Sequence, residues 1–166
     1  MSTPIICVQK EILKQLKLQF PTKFVAMYQS DKLAQAKRAC LLELVQINYK
    51  KNQHDDRIAA QCRFHVYCMS AKTALHDPYA LTDFATRTGL LIQEKGVWGF
   101  PDWVAQPHDI HVEPHHLPYY EDSFWTFKVA WEQDIYLSES YWSQTEEFQP
   151  QELCMRPGKY VPYSPT

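Results

Sequence analysis

Glycine is scarce in this chain, with four in 166 residues, and neither G-x-x-x-x-G-K-[ST] nor G-x-S-x-G occurs, so a phosphate-cradling loop and a strained nucleophile elbow are both excluded. The five cysteines are odd in number and contain no C-x-x-C pair, which argues against a disulfide scaffold and a zinc ribbon. Cys62 and Cys68 fall among apolar residues and read as small buried hydrophobes of a reducing compartment. Basic runs are missing too. Lys and Arg total 17 against 19 Asp and Glu, both signs are interspersed, and no phosphate-tracking face of the kind that binds nucleic acid is expected. No apolar run approaches the roughly 18 residues of a membrane span, and the N-terminus lacks the basic-then-apolar order of a signal peptide. The expectation is a soluble protein made inside the cell, without a membrane partner.

What the chain has in quantity is alternation. At residues 57–71, Ile58, Ala60, Cys62, Phe64, Val66 and Cys68 share one face of a strand, opposite Gln61, Arg63 and His65. This strand is expected at the centre of a mostly antiparallel sheet, with partners at 40–50 and 124–137. In the first partner Leu41, Val45 and Ile47 are assigned one face and Leu42 and Leu44 the other. In the second, Trp125, Phe127, Val129, Trp131 and Ile135 form the apolar face. A short strand is expected at 23–28, and residues 33–39 are a helical turn or a loop.

Two helices complete the expectation. Residues 4–20 carry Ile5, Val8, Ile12 and Leu16 at helical spacing, after a Ser2 or Thr3 cap and a first-turn proline. Residues 78–95 follow Asp77-Pro78, a capping residue and a proline suited to the first helical position, and Gly96 closes the run. Gly89 inside this helix costs about 1 kcal/mol against alanine; close approach to the sheet is the expected reason. The predicted fold is α+β: one domain over 1–137, its sheet carrying two helices, followed by a Pro-rich extended tail over 138–166.

Chemistry-bearing residues gather at 108–116, where four histidines and two carboxylates lie within nine residues. In a strand, Asp109, His111 and Glu113 would share a face and offer ligands to a zinc-like ion. His108 would point away, and Pro114 would end the strand before His115 and His116, so this spacing alone does not close a site. The low-ranking metal candidates are therefore His108, His111, His115 and His116, and the alternative function they allow is that of a small metal-dependent hydrolase. No catalytic residue and no cofactor is assigned. Aromatic residues concentrate on two Pro-rich segments, with Trp98, Trp103, Tyr119 and Tyr120 on the first and Tyr141, Trp142, Tyr160 and Tyr163 on the second. They are candidate docking strips for a neighbouring subunit, the competing expectation being that the tail folds back on its own sheet.

The order helix, short strand, two long strands, Pro-capped helix, extended arm and a closing strand ending Ala130-Trp131-Glu132-Gln133-Asp134-Ile135-Tyr136-Leu137 resembles the tail terminator proteins of long-tailed bacteriophages. In particular it looks like the tail proteins of Mu-like prophages, over residues 4–137. The resemblance implies a non-enzymatic protein that self-associates as a hexameric ring on the last ring of the tail tube. Such a ring stops tube growth and offers a surface to the head connector. Assembly would take place in the host bacterial cytoplasm and end in the virion tail. The His-rich arm 106–117 and the tail after 138 depart from the family pattern, and the resemblance brings no catalytic residues.

Overall fold

The computed structural model describes residues 3–29, 36–51, 57–74 and 76–137. Helix α1 (Pro4–Gln19) is capped by Thr3, whose hydroxyl accepts the Ile6 N–H, and it buries Ile5, Cys7, Val8, Ile12 and Leu16 along one stripe. Strand β1 (Phe24–Met27) runs parallel to the start of β2 (Arg38–Lys51), which turns back into β3 (Ile58–Ala71). Helix α2 (Ala80–Lys95) then crosses to β4 (His108–His115), and β5 (Phe124–Leu137) inserts between β3 and β4. The order β1-β2-β3-β5-β4 puts β3 at the centre, as its alternation requires. The class is α+β, with antiparallel pairing everywhere except β1 against β2.

Each face of β3 anchors a separate core. Ala60, Cys62, Phe64, Val66 and Cys68 pack with the buried stripes of both helices, together with Val129, Trp131 and Ile135 from β5. Tyr67 and Met69, on the opposite face, join Ala39, Leu41, Leu117 and Phe124 in a smaller cluster to which neither helix contributes. The helices therefore cover one face of the sheet only.

Strand β2 departs from the expected alternation. Leu44 pairs with Phe64 and Gln46 with Arg63, leaving Val45 as an unpaired extra residue. Such a bulge exchanges the two faces beyond it. Ile47 therefore sits opposite Cys62 on the helix-bearing side, not with Leu41 as the unbroken alternation implied.

Helix α2 begins two residues later than its sequence signal. The Asp77 carboxylate accepts the Tyr79 N–H at 2.9 Å and the Ala80 N–H bonds back to the Asp77 carbonyl. Asp77-Pro78-Tyr79 thus forms a turn, and Tyr79 at the N-cap makes no side-chain cap bond. At the other end Gly96 adopts φ +50°, and a Cβ there would lie 2.6 Å from Gln106 Oε1. Gly89 is less constrained than expected, because a Cβ would meet only Val112 Cγ2 at an ordinary 3.7 Å.

The segment between α2 and β4, unassigned from sequence, is held by Gln133 of β5. Its Oε1 accepts the indole N–H groups of Trp98 and Trp131 at 3.0 and 3.1 Å, and its Nε2 donates to the carbonyls of Gly96 and Ala105 at 2.8 Å each. A fully buried amide with all four bonds satisfied costs nothing in orphaned polar groups and fixes the chain around it. Trp98 and Trp103 are only 2% and 5% exposed. They belong to the monomer core and are corrected from docking residues to packing residues. Cysteine usage is mixed: Cys40, Cys62 and Cys68 are buried free thiols, whereas Cys7 is disulfide-bonded.

Candidate functional site

The helix-free face carries the polar side chains of β3, β4 and β5 in register. Arg63 faces Glu132, His65 faces Ala130, and Tyr67 faces Lys128 on β5. Glu132 is level with His108, Ala130 with His111, and Lys128 with Glu113 on β4. Cross-strand neighbours of opposite charge pair up: Arg63 donates twice to Glu132 Oε1 at 3.2 and 2.9 Å, and Lys128 reaches Glu113 at 2.8 Å. The ammonium of Lys128 holds the Glu113 carboxyl below its ordinary range, first by hydrogen bonding and then by charge. A depression of about 300 Å³ lies among Val45, Arg63, His65, Asp109, His111 and Lys128.

A second group surrounds Tyr67. Its hydroxyl donates to Glu43 at 2.7 Å and lies 3.2 Å from His65 Nδ1, while the His115 ring stacks on the phenol with centroids 5.4 Å apart. Burial, the hydrogen bond to Glu43 and its charge all push the Tyr67 phenol upward, so it stays protonated. Burial and the positive charge of Lys128 push His65 down to about 4, and His115 shifts down for the same two leading reasons. At neutral pH His65 is an uncharged ring beside a neutral phenol, an arrangement that orients side chains and does not activate a nucleophile.

The structure redraws the histidine cluster. Strand β4 continues through Pro114 to His115, because an edge strand leaves proline's missing N–H on a side without a ladder partner. Asp109 adopts φ +55° and the register slips between His108 and His111. His108 is thereby turned toward Asp109, with Nδ1 to Oδ2 at 3.0 Å, instead of pointing away. The donor atoms of His108, Asp109 and Glu132 lie within 4.8 Å of one another, a grouping that draws its third member from β5. His111 instead approaches the Asp109 carbonyl at 3.0 Å, and His115 is taken up by Tyr67. His116 is exposed and joins neither group. One imidazole and two carboxylates suit a divalent cation, but Arg63 already holds Glu132 Oε1, and a cation would share that carboxylate with a guanidinium of the same charge sign.

Of the aromatic docking candidates, Tyr119 is 88% exposed. Tyr120 is half-buried against Phe124, with ring centroids 6.1 Å apart. Tyr141, Trp142, Tyr160 and Tyr163 lie outside the described residues. Arg63, Glu132 and Lys128 were missed as site residues because their pairing is made across strands; the available signal was opposite charge at matched positions of two alternating strands. No family model matches the chain, and no curated protein matches it.

Proposed function

We propose that the protein is a structural subunit of a phage or prophage tail, a terminator that closes with copies of itself into a ring on the tail tube and presents a surface to the head connector. The observation that carries this reading is the one-sided layering: both helices pack on one face of a five-stranded sheet. The other face holds paired charges around a shallow depression. A flat face of alternating charge suits register-specific contact with a repeated partner better than it suits a small substrate, because complementary charge sets orientation and excludes wrong partners. The element order, helix-strand-strand-strand-helix-strand-strand, follows the order on which the resemblance to tail terminators rests, with a strand, β4, standing within the extended arm. Light scattering coupled to size exclusion, with electron microscopy of the peak, tests it. Closed rings are expected, alone or on addition of a tail tube protein; a strictly monomeric protein that never associates with tube subunits would sink the reading.

The clustering of His108, Asp109 and Glu132 favours a second reading, a metal-dependent hydrolase. Metal analysis after dialysis separates the two. A stoichiometric ion lost in His108→Ala, together with hydrolytic turnover, would favour the enzyme.

A further inference from the structure

We infer that copies of the chain join edge to edge, the open half of β2 on one copy pairing with the outer edge of β4 on the next, so that the ring is built on one continuous antiparallel sheet. The inference rests on the ring reading and names the surfaces that close it.

The sheet has two open stretches. Strand β1 covers β2 only from Ala39 to Leu42; from Glu43 to Lys51, β2 has no strand on its outer side among the described residues. At the far end, β4 pairs with β5 and with no other described strand. Away from Pro114, which has no N–H to offer, the outward N–H and C=O groups of such stretches are templates for another strand. The two are similar in length and carry matching side chains. Ile47 and Tyr49 project on the helix-bearing face of β2 and are 36% and 69% exposed. On the same face of β4 stands Val112, 39% exposed, near the half-buried Ile110. In a single copy Ile47, Tyr49 and Val112 are each more than a third exposed; side by side they form the cross-strand pairs that stabilise sheets.

Direction and stagger agree with this joint. Strand β2 is antiparallel to β3, β3 to β5 and β5 to β4, so two copies in the same orientation meet with β2 antiparallel to β4. The open part of β2 lies level with β5 residues 130–137, whereas β4 lies level with 126–132. Bringing them together offsets successive copies by four to five residues, ~15 Å at about 3.3 Å per residue. Across the four strands of each repeat, β2, β3, β5 and β4, at about 4.8 Å spacing this gives a strand tilt of roughly 38°, within the roughly 35–45° of closed sheets. A heterologous contact of this kind closes into a ring when its rotation divides the circle.

Cysteines placed at Ile47 and Val112 together, and separately at Ile47 and Ile110, test the contact. Mild oxidation should yield a ladder of disulfide-linked oligomers on non-reducing gels from a double variant, and no ladder from the single ones. In parallel, Ile47→Lys and Val112→Lys, at positions more than a third exposed, should keep the circular dichroism spectrum and weaken self-association at least tenfold. Rings that persist unchanged in the lysine variants, with no ladder from either cysteine pair, would overturn the edge contact and leave the ring reading standing. A wild-type chain that forms no oligomer, alone or with tube protein, would remove both.

Discussion

Among single residues, Gln133 has the largest structural consequence for its size. It is fully buried, it is the only member of the closing strand whose side chain bonds two tryptophans and two backbone carbonyls among the described residues, and it spans from β5 to Gly96 and Ala105. Gln133→Leu keeps the approximate volume and leaves four buried polar groups without their partner. At roughly 1–3 kcal/mol for each unsatisfied group, partly relieved by relaxation, a loss of about 3 kcal/mol or more is expected. Urea unfolding checks it, and a loss under about 1 kcal/mol would show that the amide does not hold the 96–105 segment. From the sequence this glutamine had no assigned role, because periodicity grades a residue by its own polarity and not by its neighbours' donors.

For the elements, the two glycines of α2 separate propensity from geometry. Gly89 lies mid-helix with room for a methyl group, 3.7 Å from Val112 Cγ2. Gly89→Ala should therefore stabilise the protein by up to about 1 kcal/mol. Gly96→Ala should do the opposite, by about 1 kcal/mol or more, because its φ of +50° is strained for an L side chain and the Gln106 amide stands 2.6 Å away. Thermal unfolding of both variants measures the pair; a destabilised Gly89→Ala would mean that α2 cannot accommodate even an ordinary contact with β4. Both glycines were legible as helix punctuation. Whether each was a cost or a requirement depended on backbone angle and on a neighbour from another element.

For the whole molecule, the pH dependence of stability follows from the helix-free face. His65 is held at about 4 in the folded chain against an ordinary 6.5, by burial and by Lys128, with Arg63 and His115 adding and Glu43 opposing. His115 is shifted the same way. Between about pH 6.5 and pH 4 the unfolded chain takes up protons at these positions that the folded chain does not. Stability should accordingly fall as pH drops through that window and be unaffected by these groups above it. His65→Gln, which stays neutral, should flatten the slope. A melting temperature with the same slope in wild type and variant would show that His65 titrates normally when folded.

Read alone, the chain determined its class, its central strand and both helices, because those depend on periods of two and of 3.6 residues that local side chains impose on the backbone. It also determined that residues 124–137 pair with 57–71, since two long amphipathic strands in one small domain have few other ways to bury their apolar faces. Three features were decided only in the folded chain. The bulge at Val45 moved Ile47 to the other face, because an extra residue is absorbed where the partner strand has none to match it. The left-handed Asp109 brought His108 to Asp109 and Glu132, because convergence of ligands across β4 and β5 depends on register. Trp98 and Trp103 went into the core, because what hides an aromatic ring is the partner that reaches it, for Trp98 a glutamine 35 residues away in the chain, and no local pattern encodes that partner.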